Sequence, residues 1–195
     1  HVPGVQTCAL PILHPRPRVT AMSTGDELVT VGQPVPHGRI VDSNGPLLRA
    51  ALAAAGADVT FIGPIPDQLD AFLSALHDAT SRSDLLVTSG GVSMGAYDTV
   101  KEALASRGVD FVKVAVNPGM PQGSGIVDGT PVITLPGNPV SSYVAFEVFV
   151  RPVIRRLQGH AQVSHPTRLA TLTQSLSSPA GKRQYARGIL TRSEE

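Results

Sequence analysis

Apolar residues recur along this chain in two alternating rhythms. RVTAMS (18–23) predicts a first strand that ends at Gly25, and the Gly/Pro-rich stretch 31–38 reads as a loop. DSNGPLLRAALAAAGADV (42–59) predicts a helix, with Ser43 or Asn44 available to cap it and Gly56 to stop it, then a strand over 58–63. Apolar residues at helical spacing follow in 67–76. DLLVTS (84–89) has no polar alternation, so it predicts a strand covered on both faces. A helix through Arg107, a strand over 111–116, a strand over 131–135 and a long helix over 139–157 complete the series. Strand alternating with helix predicts a three-layer α/β/α fold around a mostly parallel sheet. Beyond Gly159 the pattern changes. Residues 167–174 and 184–190 alternate like antiparallel strands, with 177–181 as a turn, and predict the truncated start of a β-rich domain. The expected division is a leader over 1–14, an α/β domain over 15–160 and this β-rich start over 161–195.

Composition narrows the function classes. The 195 residues are 42% hydrophobic but only 4% aromatic, so Val, Leu, Ile and Ala must fill the core. Lys+Arg 16 against Asp+Glu 15 leaves a formal charge of +1 without a basic block, so no nucleic-acid footprint is expected. No apolar run approaches the ~20 residues of a membrane span. No charged leader with an apolar core and a cleavage site is present, and a cytoplasmic location is expected. Cys8 is the single cysteine, which excludes an intrachain disulfide framework and a cysteine metal cluster. The opening HVPGVQTCALPIL has no periodicity, reads as a foreign or disordered leader and carries no assigned role. With no initiator Met and a closing TRSEE of similar character, the chain reads as a piece of a longer protein.

Open α/β sheets bind ligands beyond the carboxyl ends of their strands, and the polar residues of this chain gather there. Asp26 follows the first predicted strand, Asp67 the second, and Ser89, Gly90, Gly91, Ser93 and Asp98 the third. Pro136, Gly137, Asn138 and Pro139 follow the last. Paired glycines let backbone N–H groups approach a phosphate, and the next helix adds its positive end. Clustered aspartates beside an anion suit a hard cation, and oxygen-only ligation favours Mg2+. Each feature also has a plainer reading. Gly90-Gly91 fits a tight turn, Asp98 a helix cap, Asp42 a turn or cap, Pro139 a first helical position, and Lys113 a strand residue reaching solvent. His37, His77, His160 and His165 show no ligand spacing.

Five ordered stretches, STGDEL (23–28), DSNGPLL (42–48), SGGVSMGAYDTVK (89–101), KVAVNPGMP (113–121) and LPGNPVSSYVAFE (135–147), resemble the molybdopterin molybdenumtransferases, whose eukaryotic counterpart is the E domain of gephyrin. The likeness runs from about Arg16 to Gly159, with a weaker echo in GKRQYARGIL (181–190). It implies a molybdopterin-binding α/β domain, flanked in the family by two N-terminal domains and a C-terminal β-barrel-like domain, in a homodimer. The implied reaction takes adenylylated molybdopterin and molybdate, inserts the metal oxyanion into the dithiolene and releases AMP with help from a divalent cation. By resemblance, Asp26, Asp67 and Asp98 are the acidic, metal-binding positions and Lys113 the oxyanion-holding one. Ser89, Gly90, Gly91 and Ser93 line the phosphate and pterin side, and Pro136, Gly137, Asn138 and Pro139 shape the pocket. Asn117 and Met120 stand where some members carry lysine, which bears on selectivity for molybdate over tungstate. The family's first two domains have no counterpart here.

Two other readings share part of these features. A molybdopterin adenylyltransferase of the same fold, itself a possible partner, fits the SGGVS–Asp element, but LPGNPVS and the β-rich tail favour the insertion enzyme. A gephyrin-like scaffold or binding module would need a partner groove in a C-terminal domain.

Overall fold

The computed structural model describes residues 14–90 and 99–191. Its strands are β1 (Arg18–Thr24), β2 (Leu28–Val29), β3 (Ile40–Val41), β4 (Asp58–Ile65), β5 (Leu85–Ser89), β6 (Val109–Lys113), β7 (Val116–Asn117), β8 (Pro121–Val127), β9 (Thr130–Leu135) and β10 (Arg183–Gln184). The helices are α1 (Asn44–Ala54), α2 (Leu69–Arg82), α3 (Thr99–Ala105), α4 (Pro139–Ala145) and α5 (Arg151–Leu157). A five-residue π-helical segment, Phe146–Val150, joins the last two into the long helix that the periodicity predicts.

Six strands form one sheet in the order β4-β1-β5-β9-β8-β6. The first four are parallel, while β8 runs antiparallel to both of its neighbours. The expected mostly parallel α/β sheet is therefore present, with one reversed strand that the sequence reading missed. PQGSGIV (121–127) resembles a loop because it starts on proline and carries two glycines. Those glycines are required by packing: a Cβ on Gly123 would stand 2.9 Å from the Phe111 ring, and one on Gly125 would run into the Gly108 carbonyl oxygen. Glycine inside a strand commonly marks such close approach. The strand expected over 111–116 starts two residues earlier, at Val109, and ends at Lys113.

Strand residues alternate between two apolar layers. Val19, Ala21, Leu85 and Val87 pack with Leu48 and Leu52 of α1 and with Phe146, Val150 and Ile154 of the long helix. Met22 and Leu86 pack on the other face with Phe72 and Leu76 of α2 and Leu104 of α3. Covering both faces explains why β5 is buried along its whole length and shows no polar alternation.

Local chemistry sets the helix ends. Gly56 (φ +90°) closes α1 with paired bonds from its own N–H to the Ala53 oxygen and from the Ala57 N–H to the Leu52 oxygen, a Schellman ending. At the start of α1, the expected caps are not used as such. The Ser43 side chain accepts no cap bond, and the Gly45 N–H goes instead to Oδ1 of Asp42, 2.9 Å away.

The alternation over 167–174 produces no strand, and Leu169 and Leu172 are exposed. A strand forms only when a neighbour takes up its backbone groups, and no described strand pairs with this stretch. Of the second expected strand, over 184–190, only Gln184 pairs, in parallel with Asn117 and next to the Arg183–Val116 pair just outside it. Contacts between the Glu147 carboxylate and His165, and from Arg155 Nε to the Gln162 carbonyl, hold the first part of this tail.

At the amino ends of the strands, Arg18 donates to Asp84 through its backbone N–H and its guanidinium, with a closest contact of 2.8 Å. The guanidinium bond holds the Asp84 carboxyl below its ordinary pKa. Since the folded-state pKa is the lower one, ionised Asp84 favours folding at every pH above its unfolded value of about 3.9. That contribution is lost as acid titrates the carboxylate through its folded-state pKa. Asp84→Asn is expected to lower the melting temperature at neutral pH. Thermal unfolding scans across pH should show the gap to wild type closing below about pH 4.

Candidate functional site

The order of the parallel strands reverses direction beside β1. The chain leaves β1 for β4 on one side and returns to β5 on the other, so a crevice opens beyond the carboxyl ends of β1 and β5. Ligands in open α/β sheets bind at such reversals. Gly90 closes the crevice at its base. Its φ of +92° is a left-handed conformation that side chains rarely adopt, and an added Cβ would stand 2.6 Å from the Thr24 carbonyl oxygen. The glycine is thus explained by contact between two strand ends, independently of any phosphate.

The next loops bring two of the three expected carboxylates together. The Asp26 N–H donates to Asp67 Oδ2 at 3.3 Å, and the Asp67 N–H donates to Asp26 Oδ1 at 3.1 Å. This reciprocal pair joins the turn after β1 to the turn after β4. Both residues are exposed, and each engages one carboxylate oxygen with a backbone N–H. Asp67 lies before the helix cap position, held by Gln68, so it is not the cap of α2. Among the described residues, no cluster of three or more His, Cys, Asp or Glu could hold a metal ion. The third expected carboxylate, Asp98, lies outside the described residues, as do Gly91 and Ser93. The leader, too, falls outside them up to residue 13.

Ser89 ends β5 and is buried. The loop 136–139 follows β9, the neighbour of β5, and its residues take ordinary helix-start roles as well as rim positions. Asn138 Oδ1 accepts the Ser141 N–H at 3.1 Å and caps α4, and Pro139 is the first helical residue. Gly137 lies beside Gly90, where its Cβ would be 3.9 Å from the Gly90 Cα. Lys113 ends β6, at the same edge of the sheet but on its far side, and is exposed. Four strand spacings separate β1 from β6, or about 19 Å at ~4.8 Å each. Lys113 and the aspartate pair therefore occupy opposite ends of one rim. Asn117 ends the short strand β7 and Met120 lies in the turn before β8, where its carbonyl accepts the Val114 N–H.

Two residues that the sequence offers as turn or cap residues, Asp42 and Asn44, complete the rim. Asp42, 3% exposed, accepts the Ser23 hydroxyl at 2.6 Å and the Gly45 N–H at 2.9 Å. Asn44, 8% exposed, donates to Ser89 Oγ and to the Gly137 carbonyl, each at 2.7 Å. The signal was present in DSN, since an aspartate and an asparagine two apart, placed beside a strand end, can serve the neighbouring loops as well as the helix.

Buried polar atoms without a hydrogen-bond partner mark the same region. Seven occur among the described side chains, and five of them sit close to the strand carboxyl ends: Thr24, Asn44, Thr88, Thr134 and Ser142. Buried polar atoms usually find partners, so such a gathering suits a site that a polar ligand or water completes.

A family model described as "Probable molybdopterin binding domain" matches residues 20–156. The molybdopterin molybdenumtransferase 2 of Mycobacterium tuberculosis (strain ATCC 25618 / H37Rv) is 50% identical over 188 residues, covering 93% of this chain and 46% of the relative. A molybdopterin molybdenumtransferase of Haemophilus influenzae is 38% identical over 174 residues, covering 88% and 43%. The chain thus spans about half the length of the curated relatives it matches. Among solved structures, the molybdopterin biosynthesis moea protein from Pyrococcus horikoshii superposes with a TM-score of 0.66 at 32% identity, over 74% of this chain and 36% of that one. The tungsten cofactor synthesizing protein MoaB from Pyrococcus furiosus superposes with a TM-score of 0.57 at 19% identity, over 74% and 96%, a likeness of fold alone.

Gly90→Ala is expected to destabilise the fold by about 2–4 kcal/mol, combining backbone strain with the close approach to Thr24. Urea unfolding measures this. A loss below 0.5 kcal/mol would mean that the two strand ends can separate cheaply.

Proposed function

The chain belongs to the molybdopterin-binding domain family, and from that premise we propose that it is the pterin-binding part of an enzyme that inserts molybdate into adenylylated molybdopterin and releases AMP. The observation that carries this reading is the single rim beyond β1 and β5. It combines the Asp26–Asp67 pair, Ser89–Gly90 and the 136–139 loop, in a chain whose relatives are named molybdopterin molybdenumtransferases. The activity requires the longer protein, in which residues 161–195 begin a β-rich domain and the chain works as a homodimer in the cytoplasm.

The roles follow from the donor groups. Ser89 and the glycine backbone at 90–91, with Ser93, take the phosphate and pterin side. Gly137, Asn138 and the flanking Pro136 and Pro139 form the opposite wall. Lys113, at the far end of the rim, holds the oxyanion substrate. Asp26 and Asp67, with Asp98, would hold a divalent cation such as Mg2+, which keeps waters and phosphate oxygens alongside one or two carboxylates. The described pair suits that chemistry, since all its donor atoms are oxygens brought together by the reciprocal backbone bonds. Such a cation, when bound, would supply neutralisation of phosphate charge. The rim, about 24 Å from β4 to β6 over five strand spacings, suits an elongated pterin–nucleotide conjugate.

The same fold also serves other steps of cofactor synthesis, so the reaction must be read directly. The full-length protein, given adenylylated molybdopterin, molybdate and Mg2+, is expected to yield AMP and molybdenum cofactor. Formation of adenylylated molybdopterin from ATP would instead assign it to the preceding step.

Asp26→Asn provides the sharper test. Asn keeps a side-chain oxygen for the Asp67 N–H and removes one of two adjacent negative charges, so the melting temperature is expected to stay within about 2 °C of wild type. Mg2+-dependent AMP release is expected to fall by about a hundredfold or more. A mutant that keeps its metal dependence, or loses stability and activity together, removes Asp26 from the site.

A further inference from the structure

We propose that Asn44 is a positioning residue that locks together the two walls of the crevice. It is the first residue of α1, lies 92% buried by its 8% exposure, and spends both amide protons across the rim. One goes to Ser89 Oγ, at the end of β5, and the other to the Gly137 carbonyl, in the loop after β9. No other described side chain is bonded to both loops. The bond to Gly137 fixes the orientation of the amide, because the flipped form would set Asn44 Oδ1 against a carbonyl oxygen, two acceptors face to face. Oδ1 is then left buried and without a partner, a position that no helix cap requires. Asp42 already supplies the cap bond, to the Gly45 N–H, so α1 has no need of Asn44 at its start.

The consequence for binding rests on the reading of Ser89 and Gly137 as opposite walls of the pterin site. A ligand lying between them meets loops whose separation is set in advance, and loop ordering does not have to be supplied by binding. Removing the amide should free the 136–138 loop without loosening the core. Asn44→Ala takes the Asn44 donor from the buried Ser89 hydroxyl, but it also removes an unsatisfied buried acceptor, so the two effects offset, and the carbonyl of the exposed Gly137 can turn to water. Its stability is therefore expected to change little.

The test compares wild type and Asn44→Ala in the full-length protein by three measurements: anaerobic calorimetric titration with molybdopterin, thermal unfolding, and amide exchange at Gly137, Asn138 and the core residue Val87. The expected result is binding about tenfold weaker, a nearly unchanged melting temperature, and faster exchange at Gly137 and Asn138 with Val87 unaffected. Unaltered affinity overturns the inference, and so does a parallel fall in affinity and melting temperature. If wild type itself does not bind molybdopterin, the functional reading falls. The lock is then judged on exchange, where faster exchange confined to the loop upholds it and unchanged exchange overturns it. Should Asn44→Ala not fold, Asn44→Asp, which keeps the shape but turns an acceptor toward Gly137, carries the same comparison. Failure of both variants to fold would make Asn44 a folding residue and overturn the proposal.

Discussion

The end of β5 lies so close to the end of β1 that a Cβ on Gly90 would stand 2.6 Å from the Thr24 carbonyl oxygen. That approach follows from the order in which the chain lays down its strands. Because β4 and β5 take opposite sides of β1, α1 and α3, the helices that follow β1 and β5, lie on opposite faces of the sheet, the arrangement in which a crevice opens between the two strand ends. Its base is a glycine, and the described alanine and leucine residues of the core lie deeper in the sheet. Among the described residues, the groups gathered at these strand ends are backbone, buried hydroxyls and carboxylates. The polarity of the rim thus arises from topology before any particular catalytic residue is considered.

Electrostatics then divides the rim. At the β4–β1 end, two carboxylates are held against each other by backbone N–H groups of the opposite loop. Those two bonds partly offset the repulsion of adjacent negative charges. At the β6 end stands Lys113, about 19 Å away by strand spacing. Opposite charges at that separation are screened from each other at physiological ionic strength, where the Debye length is about 8 Å. They do not form an ion pair, so each end can serve a different part of a long ligand. Between them lie uncharged groups: Ser89, the Gly137 carbonyl and the unpartnered hydroxyls of Thr24, Thr88 and Thr134.

Most of the sheet was legible in the sequence, for identifiable reasons. β1 and β5 are buried in runs that only strands covered on both faces produce, β4 and β9 are apolar segments set off by turn residues, and Gly56 fixes the end of α1 by itself. β8 was not legible, because its two glycines are selected by the bulk of Phe111 and by the Gly108–Val109 backbone opposite it, partners invisible until the strands pair. The alternation over 167–174 failed in the opposite sense, offering a strand pattern to which no described strand is paired. At the site, the positions of Asp26, Asp67, Ser89 and 136–139 followed from one rule, that loops at strand carboxyl ends meet. The pairwise contacts did not follow from it. Nothing in the sequence says that Asp26 and Asp67 exchange backbone bonds, because that depends on how far each turn projects.

The DSN stretch shows how a local rule can conceal a longer-range one. Ser, Asn and Asp ahead of an apolar helix are read as caps, and one of the three does cap: Asp42, through Gly45. Because that single bond satisfies the local need, Asn44 is released from the helix start and can face outward across the rim. The arrangement works only with glycine at position 45, where a Cβ would come within 2.7 Å of Asp42 Oδ2 and would also strike the Phe61 ring. Gly45 therefore allows Asp42 close enough to cap, the cap releases Asn44, and Asn44 reaches Ser89 and Gly137. A chain of short contacts, each ordinary by itself, thus carries the geometry of α1 into the crevice.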